Sequence, residues 1–240
     1  MKKSRIILSI FFVLSVAIQI IYFNNSDIFY QYGFAVGIDK AVKQLDIGIN
    51  LIYVLLPIVF IIFLLSGSVE QMISGYGKLL IIRNYSKTRL FIKNCVKNDL
   101  IVLIVVLFQT FSYAIVKKLF KSSESNMFNS ILMYFMFLSA IMAIQYFLEF
   151  FTLPHIANII IFIYCFVSCF IVQIIPDNVL VKLLLFPCLL FGMQNGAAYG
   201  NNVFYFYLFF SVLVNCVFTL LGLYKFKKAD IFWGDKNGWN

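Results

Sequence analysis

Glu149 and His155 flank the stretch FFTLP, and an acid and a base so placed are the groups that a proton relay or an intramembrane hydrolase needs. Pro154 lies between them and favours a helix start, so spacing alone leaves their mutual geometry open. Snorkelling of both polar heads to the inner membrane interface is the ordinary reading and is preferred to catalysis. Other chemistries are poorly supplied. His155 is the single histidine, which removes most Cys-His and multi-His arrangements. Cys95, Cys165, Cys169, Cys188 and Cys216 form no CxxC pair, and most lie in apolar runs where a thiol behaves as a small hydrophobe. No GxxxxGK[ST] occurs, so the chain has no P-loop for a nucleotide. These residues point to no catalytic group, cofactor site or metal site in this chain; any use of ATP falls to a partner.

The elements that must carry these residues follow from composition. A chain of 240 residues that is 62% hydrophobic and 12% charged, with 29 Phe, has too little polar surface for water, so a bilayer is its solvent. Its mean hydropathy is +0.94. A crossing helix needs about 20 apolar residues. Six runs qualify, 6–23, 49–65, 100–116, 127–148, 156–175 and 203–224, and they make residues 1–240 a single all-α transmembrane domain. The first run follows a basic MKKSR start, and Ser15 to Ala17 imitate a cleavage site; apolarity continues to Phe23, so a retained span is expected. The run 179–193 is shorter and interrupted by Lys182 and Pro187. It reads as part of a re-entrant outer hairpin over 179–200, before the sixth span.

Six spans place both termini on one side. Lys2, Lys3, Arg5, Lys78, Arg83, Lys87, Arg89, Lys93, Lys97, Lys225, Lys227, Lys228 and Lys236 then share the cytoplasmic side, 13 cations against 6 outside (Lys40, Lys43, Lys117, Lys118, Lys121 and Lys182). The net charge of +9 thus reports orientation rather than nucleic-acid binding. ISGYG at 73–77 has the glycine spacing of a potassium filter, but it lies on the basic inner side and runs into Lys78, which excludes that use. Gln109, Gln145, Asn158, Gln173 and Asn215, with Asp99, are polar groups in or beside spans. Interhelical hydrogen bonds are their ordinary use, and lining a transport path is the sharper one. The aromatic clusters near Tyr22 and at 203–210 are explained by an interface belt.

The basic segment 67–97 shows further organisation. Met72, Ile73, Tyr76, Leu79 and Leu80 form an apolar stripe at helical spacing, and residues 70–82 are expected to form one helix. RNYS then breaks it, with Ser86 placed to cap a second, basic helix leading into the third span. Anionic lipid alone would hold such a loop at about 1 kcal/mol per cation.

With these features the chain resembles the ABC type-2 export permeases, through the six-span plan, Glu70 opening the loop, the turn pattern of IIRNYSKTRLFIK at Arg83, Ser86, Lys87 and Lys93, and the closing YKFKKADI. It departs from them in having Ile82 and Arg83 where a Pro usually precedes the turn. The resemblance implies a coupling helix between spans two and three, with Glu70, Ile73, Tyr76, Lys78, Leu80, Arg83 and Lys87 contacting a separate ATPase. It also implies two copies of an ABC ATPase carrying ATP and Mg, a second permease copy or paralogue, and the plasma membrane of a bacterium. The cargo expected from it is a small hydrophobic or amphipathic peptide, antimicrobial or toxic. Readings outside that family are an intramembrane enzyme using Glu149 and His155, or a stand-alone membrane immunity protein.

Overall fold

The computed structural model describes residues 2–23, 44–73, 76–82, 86–120, 127–174, 178–191, 194 and 202–228. Among these residues every regular element is helical. The helices are α1 (Lys2–Phe23), α2 (Gln44–Leu65), α3 (Ser68–Ile73), α4 (Tyr76–Ile82), α5 (Lys87–Phe120), α6 (Met127–Leu148), α7 (Pro154–Ile174), α8 (Val179–Leu184) and α9 (Asn202–Lys228). A 3-10 turn, Phe186–Leu190, follows α8. Four stretches are long and apolar enough to cross a membrane: Leu51–Ile73, Phe128–Leu148, Pro154–Val172 and Asn202–Lys228. The apolar part of α1, Ile6–Tyr22, is shorter. The run 100–116 lies inside α5, whose 34 residues extend about 50 Å.

Long uncharged runs become helices because each backbone group is then satisfied within its own segment, an obligation where water is absent. Hydroxyls follow the same logic. Ser15, Thr110, Ser112, Ser168 and Ser211 donate to carbonyls three or four residues earlier in their own helices. The outward faces are apolar, as at Ile104, Phe111, Ile163, Phe209 and Leu220. α6 is the central helix. Its stretch from Phe137 to Ala143 is buried throughout, and it packs against α5, α7, α9 and the 3-10 turn. α1 pairs antiparallel with α2, for Phe11 stacks on Phe60 and Tyr22 on Tyr53.

This topology gathers one set of helix ends. Phe91 near the start of α5, Phe150 after α6 and Phe226 near the end of α9 meet with ring centroids 5.7 to 6.3 Å apart. Gly222 admits the Phe91 ring, which a Cβ there would meet at 3.0 Å. The start of α1 and the α2–α3 turn belong to the same end, as the α1–α2 pairing requires. Arg89, Lys93, Lys225, Lys227 and Lys228 lie there too, so we call it the basic end. Toward the opposite end, Phe186 of the 3-10 turn packs against Phe137, Tyr164 and Phe210. Asn178 caps α8 through Leu180 N–H, and Tyr164 donates to the Leu184 carbonyl. Six helical residues and a five-residue 3-10 turn each rise about 10 Å, a third of a hydrocarbon core.

Candidate functional site

The basic end holds a buried polar assembly that begins where α6 stops. Thr152 donates through both its N–H and its hydroxyl to the Leu148 carbonyl, and Pro154 opens α7 without needing a donor of its own. Glu149 sits in this corner, only 4% exposed. One carboxylate oxygen accepts the Gly67 N–H at 3.0 Å, and the other accepts the Val69 N–H at 3.2 Å. These donors open α3, where backbone N–H groups have no partner in their own helix and an anion is favoured. Gly67 makes the approach with φ of 72°, a conformation that suits glycine. Glu149 is therefore not a snorkelling side chain: it reaches across 80 residues of sequence to start another helix. Burial pushes its carboxyl up to about 7, against the opposing pull of the Val69 and Gly67 N–H groups.

A second row of bonds fastens the same corner. The α2 helix closes with a Ser66 N–H to Phe63 carbonyl bond, and the Gln145 amide takes the Ile62 carbonyl at 3.0 Å. Gln145 also donates to Asn158 at 2.9 Å, and Asn158 donates to the Ser66 hydroxyl at 2.9 Å. Both amide side chains are fully buried. The exit of α2 and the start of α3 are thereby tied to the α6–α7 corner by four side chains from three segments.

The outlying elements are held more locally. α3 and α4 fold back on each other so closely that a Cβ on Gly77 would lie 2.2 Å from the Met72 carbonyl oxygen. Residues 68–73 and 76–82 are thus two short helices where one over 70–82 was expected. Met72 and Ile73 are buried, Leu80 is half-buried and Leu79 is exposed, so the apolar stripe does not form one continuous face. Gly77 serves this close packing. Ser86 caps α5 as its type and position suggest: its hydroxyl accepts the Arg89 N–H at 3.4 Å, and its carbonyl accepts the Leu90 N–H. The Lys87 ammonium donates to the Lys227 carbonyl at 3.3 Å, covering the carboxyl end of α9. Lys225 stands over the Phe151 ring at 4.7 Å. Ser86, Thr88, Arg89, Ile92 and Lys93 line an open groove of about 570 Å³ beside this cap.

Of the coupling residues expected from sequence, Glu70 is exposed in the first turn of α3, Ile73 is buried, and Lys87 bridges α5 to α9. Arg83 and the side chains of Tyr76 and Lys78 lie outside the described residues. Four of the five polar residues assigned to a path have described side chains. Gln145 and Asn158 belong to the corner, and Gln109 is buried beside Tyr134. Asn215 belongs to a separate chain with Ser139 and Asp99, and the Gln173 side chain lies outside the described residues. Glu149 and His155 do not form an acid-base pair here, because Glu149 gives both oxygens to backbone N–H groups and His155 is exposed. Sequence reasoning missed Ser66, Gly67 and Ser139. The one available signal for the first two was a Ser-Gly break at the end of an apolar run. Among the described residues no group of three or more His, Cys, Asp or Glu could hold a metal ion.

A family model described as "Protein of unknown function (DUF2705)" matches residues 12–232. No curated protein and no solved structure matches the chain.

Proposed function

This chain belongs to the family of proteins of unknown function DUF2705, and we propose that it is the membrane-spanning permease subunit of an ATP-driven exporter. In this reading six helices cross a bacterial plasma membrane with both termini inside, and the basic end faces the cytoplasm. Four helices of sufficient length and apolarity support the membrane assignment, and the gathering of cations at one end supports the orientation. α3 and α4 then form the coupling element for a separate ABC ATPase, present in two copies and carrying ATP and Mg. A second permease copy or paralogue completes the pathway, and the cargo is a small hydrophobic or amphipathic peptide.

The observation that carries this reading is the Glu149 corner. A surface element that only touched headgroups would need no buried anchor. Here the first turn of α3 is held by both oxygens of a carboxylate from the α6–α7 connection. A push on α3 from a docked partner would therefore reach α2, α6 and α7 together, as a switch between inward and outward exposure demands.

The test is a search for a P-loop ATPase encoded beside this chain, followed by co-expression with it and co-purification in detergent. The expected result is a stable complex that Ile73→Asp or Leu80→Asp weakens while the permease still inserts. Absence of any such ATPase, or binding indifferent to both substitutions, would overturn the reading.

A further inference from the structure

A second polar assembly lies deeper in the bundle, and every donor in it points the same way. The Thr219 hydroxyl donates to the Asn215 side-chain oxygen at 3.2 Å. The Asn215 amide donates to the Ser139 hydroxyl at 2.6 Å, and that hydroxyl donates to Asp99 at 2.7 Å. Donors from two helices, α9 and α6, thus run in one relay to a single carboxylate on α5. Asn215 is thirteen residues before the end of α9, which places this chain roughly 20 Å from the basic terminus of that helix.

No cation among the described residues pairs with Asp99; burial and the Ser139 bond are its influences. Its titratable neighbour on α5 is Cys95, one turn earlier. From α6 it faces Tyr146, and from α9 only the uncharged Asn215 and Thr219. Lys93 and Lys97 are exposed on their own helix. Of the other elements touching α5, α1 meets it farther along, at Phe12 on Phe108, and α3 carries Glu70, which is exposed. Two buried groups complete the surroundings. The Tyr146 hydroxyl lies beside the Asn98 amide, and neither the hydroxyl nor the amide nitrogen finishes a hydrogen bond among the described residues. Tyr146 is also within electrostatic reach of both Asp99 and Glu149.

We propose that Asp99 is an internal proton-binding site, reached from the basic end by way of Tyr146 and Asn98. A half-buried carboxylate with one hydroxyl donor beside a membrane span is costly as an anion, and a membrane segment keeps one where charge must be taken up and released. Ser139 can donate to Asp99 in either state, so the site survives gain and loss of a proton without rearranging its helices. A sodium ion would need several more oxygen ligands than the single carboxylate and the hydroxyl, already engaged, provide here. The proton adds to the free Asp99 oxygen from the aqueous side and leaves by the same route, with no bond otherwise made or broken. This site does not depend on the ATPase reading, and it would give an exporter a second input besides ATP.

Infrared difference spectra of the purified protein in nanodiscs, recorded as pH is stepped down, test it directly. The expected result is a carboxylic-acid carbonyl band that Asp99→Asn removes, Asp99→Glu displaces and Glu149→Gln leaves in place. Asp99→Asn keeps an oxygen for the Ser139 hydroxyl, so the fold is retained. Tyr146→Phe should slow the appearance of the band without removing it. A spectrum of Asp99→Asn identical to wild type, or a band that follows sodium at fixed pH, would overturn the proposal.

Discussion

Two carboxylates, the buried Glu149 and the half-buried Asp99, sit in one bundle and are treated oppositely. Glu149 receives two backbone N–H groups from the start of α3, one on each oxygen, at the rim of the bundle. Asp99, half-buried, receives a single hydroxyl, itself the end of a side-chain relay. Backbone donors cannot rotate away, and a carboxylate that satisfies two of them is a fastener whose removal strands both. A hydroxyl can turn, and a carboxylate facing only one keeps a free oxygen for a proton. The lesson is that burial alone does not tell structure from exchange; the number and stiffness of the donors do.

The difference can be broken first at the fastener. Glu149→Ala leaves the Gly67 and Val69 N–H groups without their acceptor in a buried corner, and a loss of about 3 kcal/mol is expected. Denaturant unfolding in mixed micelles at pH 6 measures it. A loss below about 1 kcal/mol would mean that the corner relaxes freely, and the mechanical role assigned to it would go with it.

The next effect is the pH dependence of that same corner. Glu149 has a folded value of about 7, above its ordinary 4.5, because burial disfavours the charge. The folded state therefore holds the proton more tightly than the unfolded chain does, so stability is greatest below 4.5 and falls as pH rises toward 7. Above about 7 this contribution is level. The expected slope inside the window is about 1 kcal/mol per pH unit, and Glu149→Gln should flatten it. A wild-type slope that persists in Glu149→Gln would assign the effect to another group.

Much of the helical frame was legible because apolar runs need backbone satisfaction whatever their neighbours. The run 127–148 coincides with α6, and Ser86 announced the start of α5 by type and spacing alone. The corner was not legible, since nothing near Glu149 in the chain reveals that Gly67 and Val69, some 80 residues earlier, will present N–H groups to it. Periodicity likewise joined Met72 to Leu80 in one helix, because the reason for a break lies in three dimensions. Gly77 packs on the Met72 backbone, and only the absence of a side chain allows it. Gln145, Asn158 and Asn215 were marked as polar residues in apolar surroundings, but partner choice sorted them into two assemblies that composition treats alike.

The smallest expected effect on stability separates the two carboxylates most sharply. Ser139→Ala removes the donor to Asp99 and the acceptor of the Asn215 amide in one step. Were the relay mainly a clamp, its loss would resemble the Glu149 case and cost several kcal/mol. Interhelical hydrogen bonds in membrane proteins average only about 0.6 kcal/mol, and a hydroxyl relay that serves exchange should cost no more than that. The spectrum should change instead. Without the hydroxyl that stabilises the negative carboxylate, Asp99 should hold its proton at pH values where wild type releases it, and the acid band should be stronger there. Denaturant unfolding and infrared titration of the same preparation read the two quantities together. A small stability change with a strengthened band keeps Asp99 as an exchange site. A loss near that of Glu149→Ala with an unchanged band would make it a second fastener and erase the distinction between the two regions.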